Sequence, residues 1–512
     1  MACWRQWPGM SAEPTIDPGG VGAVTVRLIG RLGGVSPWTW LALLLVVVHA
    51  SWMSWMQVDM HLGLGTFAYD AGLYDQGVWL LSRGESPFVT LMGRNLLGDH
   101  ASLILFFLVP LYWIVPGTAT LLVSQAVAIA LGALPFYFYA RHRLGHGAFG
   151  VLAAIAWLAN PAVNGTNMEN FHPDGYLGLL VPLAMFAALE RRWRMYVVAI
   201  VFVLLVKEDT VLLIAPLGLW VALRRDSRRG WVTVAASVAA ALAGMFLLMR
   251  PLIGVPTRNA WRIPFGGPWG LIRTTFTDPG ALVEHLRSED RPLYLWQMAA
   301  PFAGLFVLSP WVAAIAVPVV ASNTLSTFWY QHNIQYHYSL VAVPPLLFAV
   351  IHGARRFREN TRAVVLGIVV VTSLLTSHLW GQHTLAAEPR LVWSGDNPVA
   401  RSAREIIRTV PDDAVISVYD PLVTHLAHRP EVYFFPNPFR ALYYGVGTEL
   451  EGSRLPAADG VEYVVLPRFL NETLSADWAR ERAAFVEATS NDHWIVYVRR
   501  RPAIDPASGG AP

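Results

Sequence analysis

The sequence has little charge. Asp, Glu, Lys and Arg together make up 14% of its 512 residues, whereas a soluble globular chain carries about 25%. Hydrophobic residues account for 54%, and the mean hydropathy is +0.42. These values exclude an ordinary soluble domain and indicate an integral membrane protein with many spans. No run of basic residues is interleaved with aromatic ones, so the composition predicts no nucleic-acid partner.

Cysteine and lysine each occur once. A single cysteine, Cys3, excludes an intrachain disulfide framework and any cysteine-rich metal site. Lys207 is the only lysine among 38 basic residues. A compact, strongly hydrated ammonium differs chemically from a guanidinium fork, which favours a specific role for Lys207. Chance survival of one lysine in an arginine-biased chain is the alternative.

The basic residues cluster in short loops, as in the cytoplasmic loops of membrane proteins. If those loops lie in the cytoplasm, residues 36–379 are predicted to form about 11 transmembrane helices. Residues 1–35 are predicted to form a disordered cytoplasmic tail before them. The apolar segment 101–116 is shorter than the roughly 20 residues of a span and is interrupted by Pro110. We therefore predict a juxtamembrane or re-entrant helix there, within one long external loop at 58–118. By parity the C-terminus is extracytoplasmic.

Residues 380–512 have a different pattern. Helical patterns at 398–409 and 473–488 are interleaved with four strand-like runs, at 414–420, 431–436, 461–467 and 493–499. Alternation of this kind predicts a small extracytoplasmic α/β domain. No Gly-rich nucleotide-binding fingerprint opens any of its helices.

In this topology the acidic and histidine-rich islands all fall on the external side of a plasma membrane. Ionisable groups concentrated at a membrane boundary are a functional-site hypothesis by default, with a merely polar rim as the alternative. The candidate residues are Asp70, Asp75, Asp99, His100, Glu169, His172, Asp174, Lys207, Glu208, Asp209, His332 and His337.

Asp70 and Asp75 cannot readily act together on one helix. Five residues separate them by about 140° around a helix axis. If the helix begins just after Asp70, that residue is its N-cap, and Asp75 shares a face with Trp79. The functional alternative for Asp70 is a general base that takes a proton from an acceptor hydroxyl.

Three further acids and histidines lie close together in the segment NMENFHPDGY. Glu169, His172 and Asp174 are chemically suitable ligands for a divalent cation, although their spacing matches no specific metal motif. Capping of the loop beside Pro173 explains them equally well. The sequence therefore leaves open whether these residues bind a metal ion.

The remaining islands suit a phosphate. Lys207 can receive a phosphate group while a carboxylate orients it, or it can simply be neutralised by Glu208 and Asp209. His332 and His337 have the same two interpretations, as phosphate ligands or as interfacial residues at the membrane boundary.

These islands resemble a known pattern. The sequence is similar to the bacterial membrane family called domain of unknown function 2079, in the GT-C glycosyltransferase superfamily. The matching elements are YDAGLYDQGVW (69–79), GDHASLILFFLVPLYWIVP (98–116), FHPD (171–174), KED (207–209) and HRPEVYFFP (428–436). The resemblance covers roughly residues 40–500.

The resemblance implies a GT-C-like bundle, a long first external loop and a sugar donor carried on polyprenyl phosphate. Asp70 matches the position of the superfamily's usual catalytic acid, with Asp75 or Asp99 as the second choice. The expected reaction is sugar transfer, with inversion, to a glycan, lipid or protein acceptor, with Lys207 and His337 stabilising the phosphate that leaves. A transporter, or a glycolipid-binding carrier without chemistry, is the rival; against it, transporter sites lie near the bilayer midplane.

Overall fold

The computed structural model describes residues 36–390, 392–446 and 449–500. The tail predicted at 1–35 lies outside these ranges.

Most of the chain forms a bundle of apolar helices. Five are long and apolar enough to cross a membrane: Pro37–Leu62, Thr118–Leu144, Ser227–Ile253, His337–Ala354 and Glu359–Trp380. A sixth crossing is possible if Gly147–Leu158 and Pro161–Glu169, which meet at 47°, form one span. Four shorter apolar helices accompany them: Leu103–Tyr112, Pro173–Leu189, Trp193–Leu204 and Pro310–Leu325. The bundle agrees with the predicted architecture, but the count of 11 spans is not confirmed.

Further helices connect or extend the bundle. They are Leu73–Ser82, Leu96–Asp99, Val211–Arg224, Pro268–Thr277, Pro279–Arg287 and Arg291–Ala299.

Large aromatic side chains fill the centre of the bundle. Phe136 packs on Phe348 with ring centroids 4.4 Å apart, and both are fully buried. The buried Trp157 donates its indole N–H to the Ile129 carbonyl at 2.9 Å. Such a bond removes the cost of burying a polar group in an apolar interior.

The segment between the first two long helices contains only short elements. Strands β1 (Phe88–Val89) and β2 (Arg94–Asn95) form a small antiparallel hairpin. The ten residues of Leu103–Tyr112 are too few to span a bilayer, and Phe106 and Phe107 on this helix are exposed. The helix is thus short, as expected, and its position beside the membrane stays a prediction.

The C-terminal region contains a five-stranded sheet of order β4-β3-β5-β7-β6. Its strands are β3 (Ile416–Val418), β4 (Val432–Phe434), β5 (Tyr463–Pro467), β6 (Phe485–Ser490) and β7 (Trp494–Arg499). Strand β3 pairs parallel with β4 and β5, while β7 pairs antiparallel with β5 and β6. The flanking helices are Pro398–Ile406 and Glu472–Glu481.

One sequence prediction in this region is partly wrong. The helical pattern at 473–488 ends as a helix at Glu481, and Phe485 instead begins strand β6. Pairing of β6 along β7 supplies backbone hydrogen bonds that a local pattern cannot reveal, and it overrides the helical propensity.

The sheet and the segment at 63–117 share one hydrophobic core. Leu73 and Val78 belong to the same buried cluster as Val418, Leu422 and Trp494. The C-terminal region therefore packs directly on the loop that carries Asp70, Asp75 and Asp99.

Candidate functional site

Asp70 has an unusual backbone conformation. Its φ of 63° and ψ of −86° break the single turn Ala68–Gly72. Such angles are sparsely populated for a residue with a side chain, and they cost about 1–3 kcal/mol unless the surroundings hold them. Two hydrogen bonds flank the turn: Ala68 N–H donates to Asp420 Oδ1 at 2.8 Å, and Gly72 N–H donates to the Phe67 carbonyl at 3.1 Å.

The Asp70 side chain does not cap the helix Leu73–Ser82, whose N-terminus has no side-chain cap. Within the described residues, Asp70 forms no ion pair within 4 Å. Burial raises its pKa to about 6, and the nearby Glu169 adds to the rise, against smaller opposing effects of His172 and Lys207. Asp70 is thus a partly buried, unpaired carboxyl poised to take up or release a proton near neutral pH.

Asp75 is fully engaged by other side chains. It is buried and accepts hydrogen bonds from Tyr112 Oη and Thr118 Oγ1, both at 2.7 Å. His428 Nε2, from the C-terminal region, lies 2.8 Å from Asp75 Oδ1. Burial raises the pKa of Asp75, but His428 and these hydrogen bonds outweigh it, so the pKa lies below its usual value. Trp79 stacks on the His428 ring at 5.9 Å. Asp75 therefore links two parts of the fold.

Asp99 is paired with two arginines. Its Oδ1 lies 3.1 Å from Arg94 Nε and 3.6 Å from Arg258 Nη1. Burial raises the pKa of Asp99, but Arg94, His100 and Arg258 outweigh it and lower the pKa. A carboxylate held ionised by guanidinium groups is a weaker base than Asp70.

A central cluster is formed by Glu169, His172, Asp174, Lys207 and His337, all buried. The rings of His172 and His337 stack with centroids 3.6 Å apart. His172 Nδ1 lies 2.5 Å from Asp174 Oδ2, and His337 N–H donates to Glu169 Oε2 at 2.8 Å. Lys207 Nζ lies 3.7 Å from Asp174 Oδ2. The fold thus joins three sequence islands.

The two acids after Lys207 have different partners. Asp209 Oδ2 lies 3.4 Å from Lys207 Nζ, whereas Glu208 Oε1 lies 2.8 Å from His100 Nδ1. Glu208 also accepts the Ala101 N–H at 3.1 Å. The charge of Lys207 is therefore neutralised by Asp174 and Asp209. Glu208 instead binds His100 and the backbone of Ala101.

The central cluster contains atoms that can bind a metal cation, but their arrangement does not favour binding. Ligand atoms of His172, Asp174 and His337 lie within 4.8 Å of one another. However, the two imidazoles are stacked face to face, and the Lys207 ammonium lies beside Asp174. Imidazole nitrogens bind metals in the ring plane, so these rings must rotate and the ammonium must move before an ion fits.

His332 lies in a different network. Its Nε2 is 3.0 Å from Glu289 Oε2, and the same carboxylate lies 2.9 Å from Arg291 Nη1. In the part of the chain that the structure describes, the hydrogen bonds and ion pairs of His332 do not reach the central cluster.

Three residues next to these groups escaped the sequence analysis. Arg94 and Arg258 hold Asp99, and the Arg262 guanidinium lies 4.2 Å from the Phe328 ring centroid. Arg258 is far along the chain from Asp99, so no local pattern predicts that pair. Arg94 lies close to Asp99 in the sequence, but nothing in the sequence distinguishes it from other loop arginines. His428 does have a signal, since it opens the HRPEVYFFP element that supports the family resemblance.

Two cavities lie on opposite sides of the helix Val317–Leu325. The smaller, about 40 Å³, reaches Asp174, Asp209 and Tyr338. The larger, about 670 Å³, is an apolar groove lined by residues that include Leu282, Phe306 and Leu325.

The chain is similar to a family of membrane proteins and to solved structures of ArnT. A family model described as "Predicted membrane protein (DUF2079)" matches residues 60–500. No curated protein matches the sequence. The fold is similar to ArnT from Cupriavidus metallidurans bound to undecaprenyl phosphate, with a TM-score of 0.53 and 14% identity over 90% of this chain and 98% of that one. The apo state of ArnT gives a TM-score of 0.54 and 13% identity over the same shares.

At this level of identity the likeness establishes the fold, and the family match covers most of the chain. The protein therefore belongs to the DUF2079 family of membrane proteins, and its fold is similar to that of ArnT.

Proposed function

We propose that this protein is an inverting membrane glycosyltransferase that moves a sugar from a polyprenyl-phosphate donor to an acceptor on the extracytoplasmic face. The observation that carries the proposal is Asp70, an unpaired carboxyl in a strained turn with a pKa of about 6, beside a buried cluster of charged groups. A general base works best when its pKa lies near the working pH.

The reaction balances with groups of this chain. Asp70 accepts the proton of the acceptor hydroxyl as its oxygen attacks the anomeric carbon. The bond from that carbon to the phosphate oxygen breaks, and the lipid phosphate leaves with the bonding electrons. Inversion follows from a single displacement.

The leaving phosphate requires positive charge. Lys207 is the buried cation of the central cluster, and Arg258, whose side chain is 22% exposed, is paired with Asp99. Preorganised cations stabilise charge that develops in a transition state more than charge already present in the substrate. His337, as a hydrogen-bond donor, completes this phosphate site in the proposal.

The lipid partner is supported by the structural likeness to ArnT bound to undecaprenyl phosphate. The apolar groove of about 670 Å³ is separated from the polar cavity at Asp174 and Asp209 by a single helix. We assign the polyprenyl tail to this groove, because it offers a continuous apolar surface next to the polar cavity.

A divalent cation remains an optional part of the proposal. It would be held by His172, Asp174 and His337 after movement of Lys207, and it would add positive charge for the leaving phosphate.

The decisive experiment is sugar transfer in proteoliposomes from a panel of polyprenyl-phosphate sugars, comparing wild type with Asp70→Asn. The proposal expects transfer by the wild type and a loss of at least about a hundredfold in Asp70→Asn, the usual contribution of a general base. Asp412→Asn, at an exposed acid outside the site, is the control for loss of a carboxylate.

Each other outcome points elsewhere. Equal transfer by wild type and Asp70→Asn removes Asp70 from the role of base. Lipid binding without transfer from any donor favours a glycolipid-binding carrier, and movement of lipid across the bilayer favours a transporter.

A further inference from the structure

A separate cavity lies between the C-terminal sheet and the start of the Asp70 segment. Its volume is about 470 Å³, within the roughly 300–1,000 Å³ of small-molecule sites. We call it the switch-point cleft, and its lining includes Phe67, Trp393, Tyr419, Arg468, Phe469 and His493.

The position of the cleft follows from the strand order. Strand β3 has β4 on one side and β5 on the other, and all three are parallel. Chain connections therefore leave β3 and β5 toward opposite sides, which opens a crevice at their carboxyl ends. Tyr419 follows β3 directly and Arg468 follows β5 directly. Ligands of open parallel sheets bind at such a point.

One wall of the cleft presents an aromatic ring on a fixed backbone. Phe469 is 91% exposed. The preceding Arg468 donates its backbone N–H to the His493 carbonyl at 2.9 Å and its Nε–H to the Asn491 carbonyl at 2.6 Å. Phe469 is therefore an exposed aromatic ring at the cleft, on a backbone that these two hydrogen bonds hold in place.

A second aromatic ring that lines the cleft also stands on a fixed backbone. Trp393 is 50% exposed, but its backbone is packed so tightly on Gly63 that a Cβ there would lie 1.7 Å from the Trp393 carbonyl oxygen. Gly395 N–H donates to Asp59 Oδ1 at 2.8 Å and anchors the same segment. Only glycine at position 63 permits this contact.

We propose that the switch-point cleft binds the saccharide part of the acceptor. A sugar ring presents C–H groups on its faces, which pack on the electron-rich faces of Trp393 and Phe469. Its hydroxyls both donate and accept, and Arg468, Asp492 and His493 at the rim offer matching partners. A polyprenyl tail leaves these charged groups without partners, and an extended peptide requires a free sheet edge rather than strand ends.

The cleft is coupled to the Asp70 turn. Phe67 lines the cleft and directly precedes that turn, while Asp420, next to Tyr419, accepts the Ala68 N–H. An occupant therefore contacts the two segments that position Asp70. The identification of the saccharide as the acceptor rests on the proposed function; its binding in the cleft does not.

The test measures binding without a donor. The full-length protein in nanodiscs is examined by saturation-transfer NMR against methyl glycosides of glucose, galactose, mannose, rhamnose, arabinose and N-acetylglucosamine. At least one is expected to bind, and Trp393→Ala and Phe469→Ala are each expected to weaken it by about tenfold or more. Trp269→Ala and Phe276→Ala, which truncate exposed aromatics elsewhere, are matched controls expected to leave binding unchanged.

The outcomes separate the two proposals. If a saccharide binds but no sugar is transferred from any donor, the binding site in the cleft is supported and the proposed function is contradicted. If the double variant Trp393→Ala/Phe469→Ala transfers sugar with the same acceptor KM as the wild type, the saccharide site in the cleft is contradicted and the proposed function is not. If none of the glycosides binds, the cleft is not a saccharide site. The proposal also fails if the double variant binds the glycosides normally but is no longer retained in the nanodisc, because the two rings then belong to the membrane interface.

Discussion

His428 Nε2 lies 2.8 Å from the buried Asp75 Oδ1, although 353 residues separate the two. The pair joins the C-terminal region to the segment that carries Asp70, and Trp79 covers the imidazole. The contact gives the first element of the family resemblance and its last element, HRPEVYFFP, a common structural role. Both parts of the fold must therefore be in place before the site is complete.

Breaking this pair should destabilise the protein without removing a catalytic group. In His428→Gln, Asp75 keeps its bonds from Tyr112 and Thr118 but loses its only cationic partner among the described residues. We expect a loss of about 2 kcal/mol, below the 3–5 kcal/mol of a fully buried pair, because the other hydrogen bonds remain. Thermal unfolding in detergent measures it, with His142→Gln, at an exposed pair with Glu190, as control. Equal midpoints for both variants contradict the prediction.

The same pair predicts how stability depends on pH. Burial lowers the pKa of His428, but Asp75 outweighs it and the pKa is raised, so this contribution is complete below about pH 6.5 and is lost as pH rises through the folded-state value. The pKa of Asp75 is lowered, so its contribution is complete above about pH 4 and is lost as pH falls through the folded-state value. The stability difference between wild type and His428→Gln should be largest between about pH 4 and 6.5. A difference that is flat up to pH 9 is inconsistent with the pair.

The rate of transfer should rise with pH through about 6, because Asp70 must be ionised to accept a proton. Burial raises this pKa first and Glu169 second, so Glu169→Gln should move the acidic limb to lower pH. The amide oxygen of glutamine still accepts the His337 N–H, which preserves the local fold. The profile of kcat against pH measures the shift, with Glu359→Gln, in the exposed first turn of the helix Glu359–Trp380, as control. A limb that stays in place in Glu169→Gln contradicts the assignment to Asp70.

Asp420 should act as a positioning residue. Asp420→Ala removes the acceptor of the Ala68 N–H and allows the strained Asp70 turn to relax, so kcat should fall by about tenfold or more while donor KM changes little. Asp420→Asn keeps an acceptor oxygen and should recover most of the rate. Equal loss in both variants, with equal loss of thermal stability, assigns Asp420 to folding alone.

Transfer should persist after chelation by EDTA. The Lys207 ammonium beside Asp174 already supplies positive charge where a cation at His172, Asp174 and His337 would lie, and the two charges repel. Activity is compared before and after EDTA, and after addition of Zn²⁺, Mn²⁺ or Mg²⁺. Loss of activity that one of these ions restores favours the metal alternative.

Much of the fold could be predicted from local patterns. Long apolar runs indicate membrane spans wherever they occur, and Pro110 in a short run predicts the short helix at Leu103–Tyr112. Alternating strand and helix patterns predict the C-terminal sheet, except at Phe485, where pairing with β7 determines the structure. The candidate site residues are identified by their chemistry, because few charges occur in the chain.

The sequence by itself determined that this is a polytopic membrane protein with islands of acids and histidines and a C-terminal α/β region. Only the tertiary structure decided which charges meet: Asp75 with His428, Asp99 with Arg258, and Lys207 with Asp174. It also decided that Asp70 lies in a strained turn and has no ion-pair partner among the described residues. The physical reason is the distance along the chain over which each interaction acts. Apolar periodicity relates residues that are close in sequence, whereas a buried charge is paired with residues that only folding brings close.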